Sequence, residues 1–244
     1  MKPFSTGSRK LKRGTPPRVV TVSSTTNFFR FLDSCVKSEA NAMYRGLRKQ
    51  SYKLIPAIGR MNQKSGDPFT SAREKLMLKL FRQKTFGLLD VAHNDLALLT
   101  IAQHHGMPTR LMDWTRNPLV AFYFAVKDAF DASEAQEDSI VYLYHPTDKV
   151  VLDLDFEPFA VTAVRRFVPK YWNPRIVAQS GLFTVHPRPG EPFEPKGLRR
   201  VIIKYSVRRQ LKLALHNLGV HSGSLFPDLD GIARHVSWLR TDGY

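Results

Sequence analysis

The stretch Ala102 to Ala125, AQHHGMPTRLMDWTRNPLVAFYFA, constrains this chain more than any other. The periodicity from Asn94 to His105 predicts an amphipathic helix that Gly106 stops. Pro108 then breaks the backbone, and Thr109 to Asp113 reads as a short extended segment. Asn117-Pro118 opens a second helix, with asparagine as its cap and proline in the first turn. Asp113, Trp114 and Thr115 therefore stand where a strand ends and a helix begins, a junction with free backbone N–H groups and converging side chains. Secondary structure needs only the cap and the proline. It leaves HHG, TR and DWT as candidates for other work.

Around this junction the chain divides into a helical first half and a second half richer in strands. Residues 1–20 read as a disordered basic arm, with Gly, Ser, Pro and six Lys or Arg by Arg18. Ser24 or Thr25 caps a helix to about Ala40, Ala42 to Gly46 reads as a strand, and a loop runs through Pro56. Asn62 to Thr70 reads as a polar loop, and Ser71-x-x-Glu74 as a capping box opening a helix to about Phe86. Pro118 to about Ala132 is helical, its face of Leu119, Phe122, Tyr123 and Val126 directed to the core. Ser139 to Tyr144, Gly181 to His186 and Val201 to Val207 have strand composition. Arg208 to Leu218 forms a helix stopped by Gly219, and Asp228 to Leu239 another, capped by Asp228 or Asp230. This order argues for an α+β fold over regular βαβ alternation.

At 244 residues and 43% hydrophobic, the chain can bury a sizeable core in one domain, 24–240. No apolar run approaches the ~18–20 residues that span a bilayer, and the basic N-terminus lacks a signal-peptide core. A cytoplasmic protein without a membrane partner is the expectation. Cys35 is the sole cysteine and lies among apolar residues, which excludes an internal disulfide and reads as a structural thiol.

The net charge of +16 is unevenly placed. Residues 1–32 hold seven Lys or Arg and no acid, residues 33–159 are neutral, and residues 160–244 hold fourteen basic and five acidic residues. Such basic ends point to nucleic acid or another polyanion as partner, against the plainer reading of solvated cations. Arg165, Arg166 and Lys170, interleaved with Phe167, Tyr171 and Trp172, combine the phosphate contact and base stacking that a single strand needs; an ordinary surface helix is the competing reading.

The chain lacks GxxxxGK[ST], GxGxxG and GxSxG, which argues against phosphate-loop, Rossmann and α/β-hydrolase chemistry. His104 and His105 read as helix C-terminal caps; His104 with Asp113 forms the alternative acid–base pair of a metal-independent nuclease. No HExxH or similar spacing is present, so no metal is expected.

Tyr44-Arg45-Gly46, followed by QHHGMPTRLMDWT, resembles the prokaryotic FRG domain, a family named for an (F/Y)RG tripeptide and carrying a longer QH-x-G-x-PTRLLDWT signature. Met112 replaces the usual leucine, a mild change. Ser224 to Gly231, SLFPDLDG, is similar to the end of these domains, so the resemblance spans about Ser24 to Trp238. The same segments are remotely similar to ADP-ribosyltransferases, in which an aromatic-Arg strand is followed by a hydroxyl-bearing strand leading into an apolar helix. That resemblance implies nicotinamide adenine dinucleotide (NAD) as cofactor, bound by Tyr44, Arg45, Gly46, Trp114 and Thr115. Arg45 would hold phosphate or ribose, Thr115 would support the first strand, and Trp114 would stack on an aromatic ring of the ligand. Gly46 would leave the backbone open to the ligand. The glutamate expected on a later strand is replaced, within Ile176 to Phe183, by Gln179, which hydrogen-bonds but cannot act as a carboxylate. The acid would then be Asp113, Asp228 or Asp230. The leading expectation is NAD-dependent ADP-ribosyl transfer to a macromolecule, with Arg45, Asp113, Thr115 and Gln179 as catalytic group. A non-catalytic nucleic-acid-binding or regulatory module and the nuclease are the alternatives.

Overall fold

The structure, a computed structural model, describes residues 19–36, 41–65, 70–89, 94–129, 136–147, 150, 155–169 and 173–241. The N-terminal arm to residue 18, the expected ends of two helices at 37–40 and 130–132, and Lys170, Tyr171 and Trp172 lie outside the described residues. Within them the fold is α+β, a mixed sheet flanked by helices.

The sheet has seven strands among the described residues: β1 (Val19–Val22), β2 (Met43–Leu47), β3 (Leu111–Thr115), β4 (Ser139–Tyr144), β5 (Arg165–Phe167), β6 (Gly181–Val185) and β7 (Arg199–Ile203). Their order is β1-β7-β4-β2-β3-β6-β5. β1 runs parallel to β7 and the remaining neighbours are antiparallel. Val19 and Val20, counted in the arm from sequence, belong to β1, where pairing with Arg200 and Val201 orders them.

The central seam is narrow. β2 matches β4 from Met43 to Leu47 and β3 matches β6 from Leu111 to Thr115, whereas β2 and β3 meet at Tyr44↔Thr115. Beyond that point the Asp113 carbonyl accepts a hydrogen bond from the Arg45 guanidinium. A side chain thus satisfies a carbonyl that a backbone N–H would bond in a continuous ladder.

On one face, α1 (Thr25–Val36), α5 (Pro118–Val126) and α7 (Arg208–Asn217) pack Phe28, Phe122 and Leu211 against Tyr44, Val141 and Ile203. Gly46 explains why α5 comes so close. A methyl group there would overlap the Ala121 carbonyl and reach the Ala125 nitrogen. The glycine thus serves helix packing, a role that the sequence reading did not assign to it. The opposite face buries Met43, Met112, Trp114, Tyr142 and Ile202. A third apolar group joins α3 (Ser71–Lys84) and α4 (Asp95–His104) to β3, β5 and β6 through Leu78, Leu99, Leu111, Phe167 and Phe183.

Local sequence accounts for most helix ends. Ser24 accepts from the Asn27 N–H at the start of α1, Asn94 caps α4 through Ala97 N–H, and Asn117 caps α5 through Leu119 N–H. Gly106 and Gly219 take φ of 90° and 78° just past α4 and α7, where other residues are strained. Two local readings fail. α2 (Ala57–Ser65) is a helix where Asn62 to Ser65 reads as loop. The cap of α3 is Thr70, which accepts from Arg73 N–H, because Ser71 and Glu74 have a tertiary partner instead. The Glu74 carboxylate binds the Arg110 side chain at 2.8 Å and its backbone N–H at 2.7 Å, and Ser71 Oγ accepts from the same guanidinium. Both charges are inaccessible to solvent, and the Phe159 ring covers the guanidinium. Burial pushes the Glu74 carboxyl above its usual range while Arg110 pulls it back.

Candidate functional site

The segment PTRLMDWT divides its residues between scaffold and cavity by strand alternation. Arg110 and Thr109 are buried before β3 begins; Thr109 donates to Gln103 Oε1 and accepts from Leu111 N–H. Leu111 and Met112 enter separate apolar groups. Trp114 is 3% exposed, and its indole N–H donates to Thr184 Oγ1 at 3.0 Å. The expected stacking of Trp114 on a ligand ring is therefore corrected: period 2 directs its indole into the core. Asp113 and Thr115 remain for the other face.

There a cavity of about 290 Å³ is lined by Arg45, Gly46, His104, Asp113, Thr115 and Gln179, with apolar walls from Phe124, Phe183 and Phe226. Tyr44 and Trp114 also contribute to its lining although both are buried. Arg45, Asp113, Thr115 and Gln179, distant in sequence, thus surround one space. Two further positions were not singled out from sequence: Arg175 at the cavity wall, and Gln103, which aligns the acid.

Asp113 is the cavity's carboxylate, its side chain 58% exposed. Gln103 Nε2 donates to Oδ1 at 2.6 Å, and Arg45 approaches Oδ2 at 3.4 Å. The Gln103 amide is itself fixed by the Thr109 hydroxyl, so a chain of side chains orients the acid. Burial is the largest influence on Arg45 and lowers its pKa; Asp113 opposes that shift.

Thr115 Oγ1 donates to the Gln179 carbonyl at 2.6 Å and accepts from Asn117 N–H at 2.9 Å. This hydroxyl ties the end of β3 to α5 and to the segment before β6. Gln179 is not on a strand, as Ile176 to Phe183 suggests; it is the C-cap of α6 (Pro174–Ala178). Asn173-Pro174 starts that helix by the same cap-and-proline device as Asn117-Pro118. The Gln179 amide donates to the Leu225 carbonyl at 3.0 Å.

The nuclease pair is not formed. His104 Nε2 accepts from Asn173 Nδ2 at 2.9 Å, while the Asp113 oxygens serve Gln103 and Arg45. Burial, then Arg175 and His105, lower the His104 pKa and favour the neutral ring that this bond requires. The other two acids are placed elsewhere. Asp228 caps α9 (Leu229–Thr241) through Gly231 N–H and binds Arg175 at 2.6 Å; Asp230 lines a separate cavity.

The interleaved cluster is also changed. Arg165 and Arg166 lie on β5, not on a helix; Arg165 is exposed and rests on Phe156, while Arg166 is 4% exposed. Phe167 stacks on Phe183 in the core. Arg166 and Phe167 therefore offer no open surface for a nucleic-acid strand.

Residues 40–134 match the family model of the FRG domain, so this segment, carrying YRG and DWT, is an FRG domain. No curated protein and no solved structure matches the chain.

Proposed function

We propose that the Arg45–Asp113–Thr115 cavity binds the nicotinamide-ribose half of NAD and transfers ADP-ribose to a macromolecular acceptor. The observation that supports this reading most is an oriented carboxylate facing a cavity with Arg45, Arg175 and His104 around it. Two guanidiniums, Arg45 and Arg175, beside one acid suit a ligand that carries phosphate beside ribose hydroxyls. The volume, about 290 Å³, lies near the lower end of small-molecule sites and suits one half of a dinucleotide.

In this reading Arg45 turns from Asp113 toward a phosphate oxygen, and Phe124 or Phe226 offers an apolar wall to the nicotinamide ring. The bond between the ribose anomeric carbon and nicotinamide breaks, with its electron pair leaving on nicotinamide. The acceptor's nucleophile bonds to that carbon, and its proton passes to Asp113. Thr115 is a positioning residue that holds the β3–α6 junction.

The test is incubation of purified protein with labelled NAD and either nucleic acid or protein acceptors. Nicotinamide release, or label on an acceptor, is expected from the wild type. Both should disappear in Asp113→Asn, which keeps an oxygen for Gln103, while the thermal unfolding midpoint moves little. A second reading, a non-catalytic nucleic-acid-binding or regulatory module, is favoured by one observation: Arg45 and Thr115 already bond backbone carbonyls. Nucleic-acid binding without nicotinamide release would select it, and strand cleavage would return the nuclease.

A further inference from the structure

A second cavity, of about 410 Å³, lies beside the first and shares Arg175 and Phe226 with it. Its lining includes three histidines that no local motif connects: His216 near the end of α7, His221 at the start of α8 (Ser222–Leu225), and His235 within α9. The turn at Gly219, with φ 78°, reverses the chain between the first two. The rings of His221 and His235 lie 3.8 Å apart and nearly parallel, and His216 is 5.5 and 5.2 Å from them.

We infer that His216, His221 and His235 bind one divalent transition-metal ion of the zinc class. One ring nitrogen from each falls within 4.8 Å of the others. Zinc–nitrogen bonds of ~2.0–2.1 Å place tetrahedral ligand atoms about 3.3–3.4 Å apart, so closing the set requires the stacked His221 and His235 rings to turn out of parallel. Three imidazoles and no thiolate or ligand carboxylate suit zinc, nickel or copper over calcium or magnesium. Among the described residues His235 Nδ1 is buried without a hydrogen-bond partner, a cost that coordination or second-shell bonding would remove.

The proton arrangement at His221 is part of the proposal. Its Nδ1 accepts from Ser224 N–H at 3.2 Å. Coordination through either ring nitrogen ends that acceptance, because the free nitrogen of a neutral ligand carries hydrogen. Ser224 N–H still reaches the His221 carbonyl at 3.2 Å, so α8 keeps a partner for it. Lys212 and Arg234 line the same cavity, held over Trp238 and Phe226. Beside those cations, the open position of a three-histidine ion is suited to an anionic ligand.

Tag-free full-length protein, stripped with chelator and dialysed, should be titrated with Zn²⁺ by calorimetry and with Co²⁺ by visible absorption. One equivalent and a tetrahedral Co²⁺ spectrum are expected. His216→Gln, His235→Gln and His221→Asn should each weaken Zn²⁺ binding at least about a hundredfold, asparagine retaining a cap at position 221. His105→Gln, whose ring does not line this cavity, should bind as the wild type does. Circular dichroism and the metal-free unfolding midpoint identify any variant that fails to fold. X-ray absorption at the zinc edge of the wild type needs no variant and should show three imidazole nitrogens at ~2.0–2.1 Å. Absence of saturable binding, unchanged affinity in folded triad variants, or a different ligand set would overturn the site.

Discussion

The two adjoining cavities are built in opposite ways. Around Asp113 the lining groups are extensions of the frame: Arg45 completes a seam between strands, Thr115 ties three segments, and Gln103 is fixed by Thr109. Around His216 the histidines sit on helix ends and a helix face packed outside the sheet. Replacing Arg45 or Thr115 would remove a bond of the frame, whereas the helices that carry the histidines hold to the core through other residues, such as Leu211 and Leu215.

The contrast is sharpest at the buried Glu74–Arg110 pair, which stands just before β3. Arg110→Met should destabilise the protein by about 3–5 kcal/mol, because Glu74 is left buried without its cation. Urea unfolding measures this, and a loss below about 1 kcal/mol would show that the frame tolerates disruption. Gly46→Ala comes next, at about 3 kcal/mol, near the upper end of ordinary overpacking because the new methyl group meets the backbone of α5. A midpoint equal to that of the wild type would separate the YRG glycine from helix packing.

Acid should strain the same frame through His186. Burial, then Arg45 and Arg110, depress its pKa to about 3, and Thr184 Oγ1, which accepts from Trp114, can give its hydroxyl hydrogen to His186 Nε2. The unfolded ring titrates near 6.5, so it binds a proton first as pH falls. Stability contributed by the neutral ring is complete above that value and is lost toward pH about 3. The expected slope is about 1.4 kcal/mol per pH unit within this window. His186→Gln should flatten the curve relative to the wild type; parallel curves would refute the assignment.

The smallest effect belongs to the second cavity. His235→Gln in metal-free protein should shift stability by less than about 1 kcal/mol, since the ring is partly exposed and its Nδ1 has no hydrogen-bond partner among the described residues. A loss as large as that for Gly46→Ala would make the histidine a structural member and erase the contrast.

What the sequence disclosed follows the range of the interactions involved. Asn94, Asn117-Pro118 and Gly219 act within one helical turn, and each stands where local reading places it. Ser139 to Tyr144 is likewise a strand over the span its composition suggests. Long-range partners are less visible. Ser71 and Glu74 have the spacing of a capping box, yet Arg110, 36 residues beyond Glu74, claims them. Val19 and Val20 follow a basic arm and are ordered by a strand near residue 200. For the site, Arg45, Asp113 and Thr115 could be brought together from YRG and DWT. Trp114 could not be assigned without the strand's facing, and the histidines at 216, 221 and 235 have no recurring interval to reveal them.

Arg175 and Phe226 form a wall common to both cavities, and Arg175 lies across the Phe226 ring. An occupant that draws this guanidinium to one side withdraws it from the other. If both proposed sites are filled, the two occupancies are thermodynamically linked, and whatever factor one ligand imposes on the affinity of the other is returned in equal measure.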